Sequence, residues 1–133
     1  MRHSLSGLCV AAVILGASSA AVAHHGAATF DTGKTLVLEG VVTEWVWANP
    51  HCFLKFDVKG PDGKVESWAV EAGGASALMR AGVRRTDFTL GVELTVQGFM
   101  AKNGTKTIAG REVKTADGRN FFVGGQQPGR GGQ

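Results

Sequence analysis

Cysteine is scarce, acidic and basic side chains nearly balance, and no apolar run is long enough to cross a bilayer. Each shortage closes a class of protein. The 133 residues include two cysteines, and Cys9 lies in an N-terminal leader expected to be removed. That leaves Cys52 alone, with no intramolecular disulfide. Fourteen Lys and Arg against 11 Asp and Glu give a net charge of +3, too slight for a polyanion-binding surface, so no nucleic-acid partner is expected. The longest apolar stretch falls short of the roughly 18 residues a membrane span requires, so no membrane attachment is expected once the leader is gone. No G-x-S-x-G, H-E-x-x-H or phosphate-cradling glycine loop occurs, and Ser67 and Ser76 have no histidine close in sequence. A covalent or acid–base enzyme is therefore not expected. What the chain does have, 44% apolar and 19% charged residues, suits one small folded domain.

Residues 1–23 read as an export leader: Met1 and Arg2 form a short positive start, residues 8–15 an apolar centre, and Ala21-Val22-Ala23 a small-x-small cleavage site. Cleavage after Ala23 predicts a periplasmic or secreted protein that begins at His24. Residues 24–34 then read as an N-terminal arm, residues 35–123 as the folded domain, and the glycine-rich residues 124–133 as a disordered tail.

Within the domain, alternation of β-branched and aromatic residues over 35–47 predicts a long first strand that bends at Gly40. Asn49-Pro50 breaks it, and residues 51–59 predict a second strand with Cys52, Leu54, Phe56 and Val58 on the core side. Pro61-Asp62-Gly63 turns into a third strand over 65–70. Residues 75–81 predict a short helix packing through Leu78 and Ala81, with Gly82 able to end it. Strands over 92–99 and 107–115 join at Asn103-Gly104, and 121–123 add a last short strand. That order predicts a mainly β protein: a small five- to six-stranded OB-like barrel with one short helix between strands three and four. A small β-sandwich is the competing architecture.

Histidine placement is the most informative chemical feature. After cleavage three remain: His24 and His25 at the start, and His51 behind Asn49-Pro50. An N-terminal histidine offers its α-amine and ring Nδ1 to one metal, and a further imidazole completes a three-nitrogen set, a histidine brace. Such a set suits Cu(II). His24 and His51 are the expected ligands, with His25 auxiliary or competing, and copper is the expected metal. Trp47, Glu71, Asp31 and Asn49 are candidates to line the site. Plainer readings stand beside this one: a polar arm, and a turn histidine bonded to backbone. Zinc would need a fourth protein ligand, for which Asp31 is a candidate. Cys52 beside His51 invites a blue-copper reading, but neighbours in a strand face opposite ways, so a buried small hydrophobe fits better. Trp45, Trp47 and Trp68 read either as core or as an aromatic platform for a small ligand, a glycan or a partner protein. The platform would make the chain a metal-free binding module. Asn103-Gly104-Thr105 matches a glycosylation acceptor, which a hairpin turn explains equally.

The chain resembles a family of small exported bacterial proteins of uncharacterised function. The resemblance rests on Ala23-His24-His25 followed by Phe30-Asp31, on Gly40-Val41-Val42-Thr43-Glu44 leading to Trp47-x-Asn49-Pro50-His51, on Trp68-x-x-Glu71, and on Gly91-x-x-Leu94-x-Val96. It covers most of residues 23–117 and implies export, a compact β-rich domain and no established activity. Cys52 and the glycine-rich tail are not typical of it. The function expected from all of this is an exported carrier or accessory protein that binds a metal ion.

Overall fold

The structure, a computed structural model, describes residues 29–124. The leader, His24, His25 and the tail from residue 125 lie outside the described residues. Six strands and one short helix follow one another as β1 (Phe30–Val46), β2 (Phe53–Lys59), β3 (Val65–Glu71), α1 (Ala75–Arg80), β4 (Glu93–Ala101), β5 (Thr107–Thr115) and β6 (Asn120–Phe122). Mainly β architecture with the helix between strands three and four is as the sequence predicts.

Neighbours run β3-β2-β1-β4-β5-β6, and β3 also pairs in parallel with β5 over Ala69–Glu71 against Thr107–Ala109. The first five strands therefore close into a ring, and β6 lies alongside β5. Closure is possible because β1 serves two neighbours: its first half pairs with β4 and its second half with β2. A register shift between Val42 and Glu44 bends it, close to the expected Gly40. Gly40 has its own reason to be there. A Cβ on it would stand 2.5 Å from the Asp57 carbonyl oxygen and 2.7 Å from the Phe56 ring, so only glycine lets the two strands approach this closely.

Alternation fills the ring. On β2, Leu54 and Phe56 are buried while Lys55 is exposed, and Cys52 just before the strand is buried as well. Trp68 and Val70 face them from β3, with Val96, Ile108 and Val113 across from β4 and β5. Two expectations need correction. β1 begins at Phe30, not Thr35, so residues 30–34 of the expected arm are strand; Asp31-Thr32-Gly33-Lys34 shows no alternation because the register shifts there between Phe30 and Thr35. The helix stops at Arg80 and makes Ala81 its exposed C-cap. Of the expected packing pair, Leu78 alone is buried, joined by Ala75.

The connection from α1 to β4 is tied down by Asp87. Its carboxylate accepts from the Arg84 N–H at 2.6 Å and from Arg119 Nη1 at 3.1 Å. In the β5–β6 turn, Asp117 accepts from Thr115 Oγ1 at 2.5 Å, from the Arg119 N–H at 3.2 Å and from Arg119 Nε at 2.8 Å. The Thr115 hydroxyl first, then Arg119, holds the Asp117 carboxyl down at about 2. Because this lies below the unfolded value near 3.9, the stabilisation is complete above that pH and is lost as pH falls towards 2. Asp117→Asn should therefore melt below the wild type at pH 6, and the gap should close between about pH 4 and 2. A gap of constant size across that range would show that the carboxylate charge contributes nothing.

Candidate functional site

The Trp47 to Cys52 segment connects β1 to β2 and packs against the segment that leads from β3 into α1. Backbone bonds fasten the two: Ala75 N–H to Ala48 O at 2.9 Å, Cys52 N–H to Gly73 O at 3.1 Å, and Ala72 N–H to Cys52 O at 2.9 Å. The Asn49-Pro50 peptide is cis. Asn49 is exposed, and its side chain bonds to the start of α1. Its Oδ1 accepts from the Ser76 N–H at 3.2 Å and its Nδ2 donates to Ser76 Oγ at 3.4 Å, which caps the first turn of α1 from a distant part of the chain. Gly74, the residue before the helix, has no side chain to do this itself.

His51 projects from this turn with half of its side chain exposed, and Nδ1 lies 3.2 Å from the Ala72 carbonyl oxygen and 3.5 Å from Glu71 Oε1. A carbonyl oxygen only accepts, so the contact suits a ring that donates from Nδ1 and presents Nε2 outward. Glu71, the last residue of β3, points outward because Val70 before it is fully buried. Histidine and carboxylate thus meet at the rim of the ring, beside the turn that fixes both.

The other expected lining residues are placed differently. Trp47 packs edge-on to Trp45, with centroids 5.5 Å apart, and Trp45 meets Phe88 at 5.2 Å. Trp68 is buried in the core. Trp45 and Trp47 are half-buried and pack against that core. Asp31 accepts from the Gly33 N–H at 3.1 Å and is not among the partners of His51. Among the described residues, no three His, Cys, Asp or Glu side chains stand close enough together to hold a metal ion.

Cys52 is fully buried, and its Sγ donates to the Ala48 carbonyl oxygen at 3.3 Å. Burial pushes its thiol up, only partly offset by that bond, so it is inert beside His51 and not a ligand with it. In the folded protein Cys52 should react with a thiol reagent orders of magnitude more slowly than in denaturant; equal rates would mean the pocket opens freely.

Sequence reading missed what lies outside Glu71. Cross-strand pairing places Thr35, Phe99, Ala109, Glu71 and Phe53 in one row across five strands. Leu54, Val70 and Gly110 beside them point inward, so this row faces out. The half-buried Phe53 therefore stands beside the carboxylate on the outer surface and the half-buried Phe99 two strands away, beyond Ala109, with Arg111 over the Phe99 ring, 5.4 Å from its centroid. The signal was present in the alternation of β2 and β4, but parallel pairing of β3 with β5 is needed to align it.

A groove of about 560 Å³ lies elsewhere, lined by residues that include Glu39, Asp57, Glu93, Lys59 and Lys114. Its mixed charges are solvated strand faces, and it contains neither histidine nor aromatic residue. No helix among the described residues is long and apolar enough to cross a membrane. A family model described as a family of unknown function, DUF6152, matches residues 12–110. No curated protein and no solved structure matches the chain.

Proposed function

We propose, for a chain that belongs to the family of unknown function DUF6152, that it is an exported, OB-like barrel protein which binds copper through His24 and His51 as a carrier or accessory protein. The OB-like reading is supported by the ring itself. Stepping between register partners from Val46 through Phe53, Glu71, Ala109 and Phe99 returns to β1 at Thr35, eleven residues before the start. A large stagger of this kind, a parallel closing pair and a helix between strands three and four are what a five-stranded OB barrel requires.

The observation that carries the metal reading is the fixed ring of His51. Metal-binding histidines characteristically give their second N–H to a backbone carbonyl or a carboxylate, which sets the tautomer and presents the other nitrogen. Ala72 and Glu71 stand where such partners would. One imidazole does not make a site, and the missing donors are those of an N-terminal His24, its α-amine and ring Nδ1, with His25 auxiliary. That set is nitrogen-rich and suits Cu(II) above zinc.

Electron paramagnetic resonance of Cu(II) added to the exported, processed protein tests this. A tight tetragonal three-nitrogen signal is expected from the wild type and not from His51→Ala or from a protein carrying one extra residue before His24. Three matching spectra, or none with a specific signal, would overturn the copper reading.

A further inference from the structure

We infer that Asn103 is a site of spontaneous covalent modification, at which the β4–β5 turn converts its own side-chain amide into a carboxylate. The Gly104 nitrogen bonds to Asn103 Cγ and the Cγ–Nδ2 bond breaks. The proton shed by the Gly104 nitrogen leaves with Nδ2 as ammonia, and a five-membered succinimide is closed. Water then opens the ring at one carbonyl or the other, giving aspartate or, with the main chain lengthened by one methylene, isoaspartate. Water is the only co-reactant, and none of the residues proposed for copper takes part.

Of the three asparagines in the chain, Asn103 alone has an attacking nitrogen with a clear approach. Asn49 precedes Pro50, whose ring nitrogen has no proton to shed. Asn120 precedes Phe121 on β6, whose ring packs on Phe88 at 5.1 Å, and its own Nδ2 donates to Glu112 Oε1. Asn103 and Gly104 are both exposed. Nothing stands within 4 Å of where a Cβ on Gly104 would be, so neither its own side chain nor a neighbour crowds the bond that forms.

The bonds within the turn favour the attack. Asn103 Oδ1 accepts from the Thr105 N–H at 3.0 Å and from Thr105 Oγ1 at 2.8 Å. Negative charge develops on this oxygen as the Gly104 nitrogen adds to Cγ, and the two donors are already in place to take it, as in an oxyanion hole. The nucleophile is loosely held as well. The Gly104 N–H reaches Ala101 O at 3.4 Å, a stretched bond, whereas Gly63 and Gly118 in the two Asp-Gly turns hold theirs at 2.9 Å to Gly60 O and Thr115 O. All three glycines share the same positive φ, but the other two follow carboxylates, Asp62 and Asp117, which repel a nucleophile.

The product changes its surroundings. A new negative charge stands between the exposed Lys102 and Lys106, of which Lys106 already pairs with Glu66. The added methylene of isoaspartate falls next to Lys102, whose N–H donates to Thr29 O at 2.9 Å and so ties β4 to the start of β1.

Ageing the purified protein at pH 8 and 37 °C, followed by peptide mass spectrometry with an isoaspartyl assay, tests this. The Asn103 peptide is expected to gain about 1 Da at least about tenfold faster than the Asn120 peptide, with isoaspartate in excess of aspartate. Because the Gly104 nitrogen must shed its proton, the gain should slow at pH 5. Asn103→Gln, which would have to close a six-membered ring, should suppress it, and an unchanged melting temperature shows that this variant folds. An Asn103 peptide that stays unchanged for weeks, a gain seen only after denaturation, or equal gains at Asn103 and Asn120 would each overturn the inference. Aspartate without isoaspartate would mean direct attack by water on the amide and would overturn it too.

Discussion

Phe56→Ala should lower the free energy of unfolding by roughly 3–5 kcal/mol. The ring of Phe56 is fully buried in the middle of β2, opposite Val42 on β1 and Trp68 on β3. Removing it deletes the largest fully enclosed side chain and leaves a void that strands fixed on both sides cannot collapse into. Gly40 offers no help, because the space above it is closed by the Asp57 carbonyl as well as by Phe56. Set against a typical stability of about 5–15 kcal/mol for a domain, the loss is a large fraction of the whole. The melting midpoint should fall on the order of 15 °C or more. The neighbouring residue supplies the contrast. Lys55 points outward and pairs with Glu44 at 2.6 Å, both side chains about half exposed, so Lys55→Ala should cost no more than about 1 kcal/mol. Denaturant melts of the two variants side by side decide the matter: similar midpoints would mean that the ring does not enclose the core.

That contrast between adjacent residues was legible in the sequence, because alternation along β2 sorts Leu54 and Phe56 from Lys55 without any knowledge of partners. The same logic places Cys52 inside, and β5 falls on Thr107–Thr115 as its pattern predicts. Legibility ends where a partner far along the chain decides the outcome. The sequence cannot say that β3 pairs with β5, so it does not align Phe53, Glu71, Ala109 and Phe99 on one outer row. Tryptophans near a turn carry no signal for their ring partners: Phe88 and Phe121, which extend the Trp45 cluster through edge contacts at 5.2 and 5.1 Å, lie more than forty residues further along the chain. Asn49 reads as a turn former, yet its side chain caps a helix that begins 26 residues later. His51 is the mixed case: its place behind the Asn49-Pro50 turn is legible, whereas the carbonyl of Ala72 beside its ring carries no sequence signal.

Gly74→Ala should destabilise the fold by about 1–3 kcal/mol and, unlike the Phe56 change, should act on the site as well. A Cβ on Gly74 would stand 2.6 Å from the Pro50 carbonyl oxygen and 2.7 Å from Asn49 Oδ1. The first of these is backbone, so the β1–β2 turn must move as a unit. That movement costs the Asn49 cap on Ser76, worth about 0.5–2 kcal/mol by itself. A six-residue helix depends on such outside contacts, this cap and the Ala75 N–H bond to Ala48 O, since helices this short do not persist alone in water. Asn49→Ala separates the two effects: it removes the cap while leaving the turn in place. The nitrogen of His51 should therefore keep its exchange protection and chemical shift in Asn49→Ala and lose both in Gly74→Ala, a comparison that nuclear magnetic resonance of the imidazole makes directly. If Gly74→Ala proves as stable as wild type with an unshifted imidazole, the contact between turn and helix does not position His51. The ring would then owe its orientation to Ala72 and Glu71 alone.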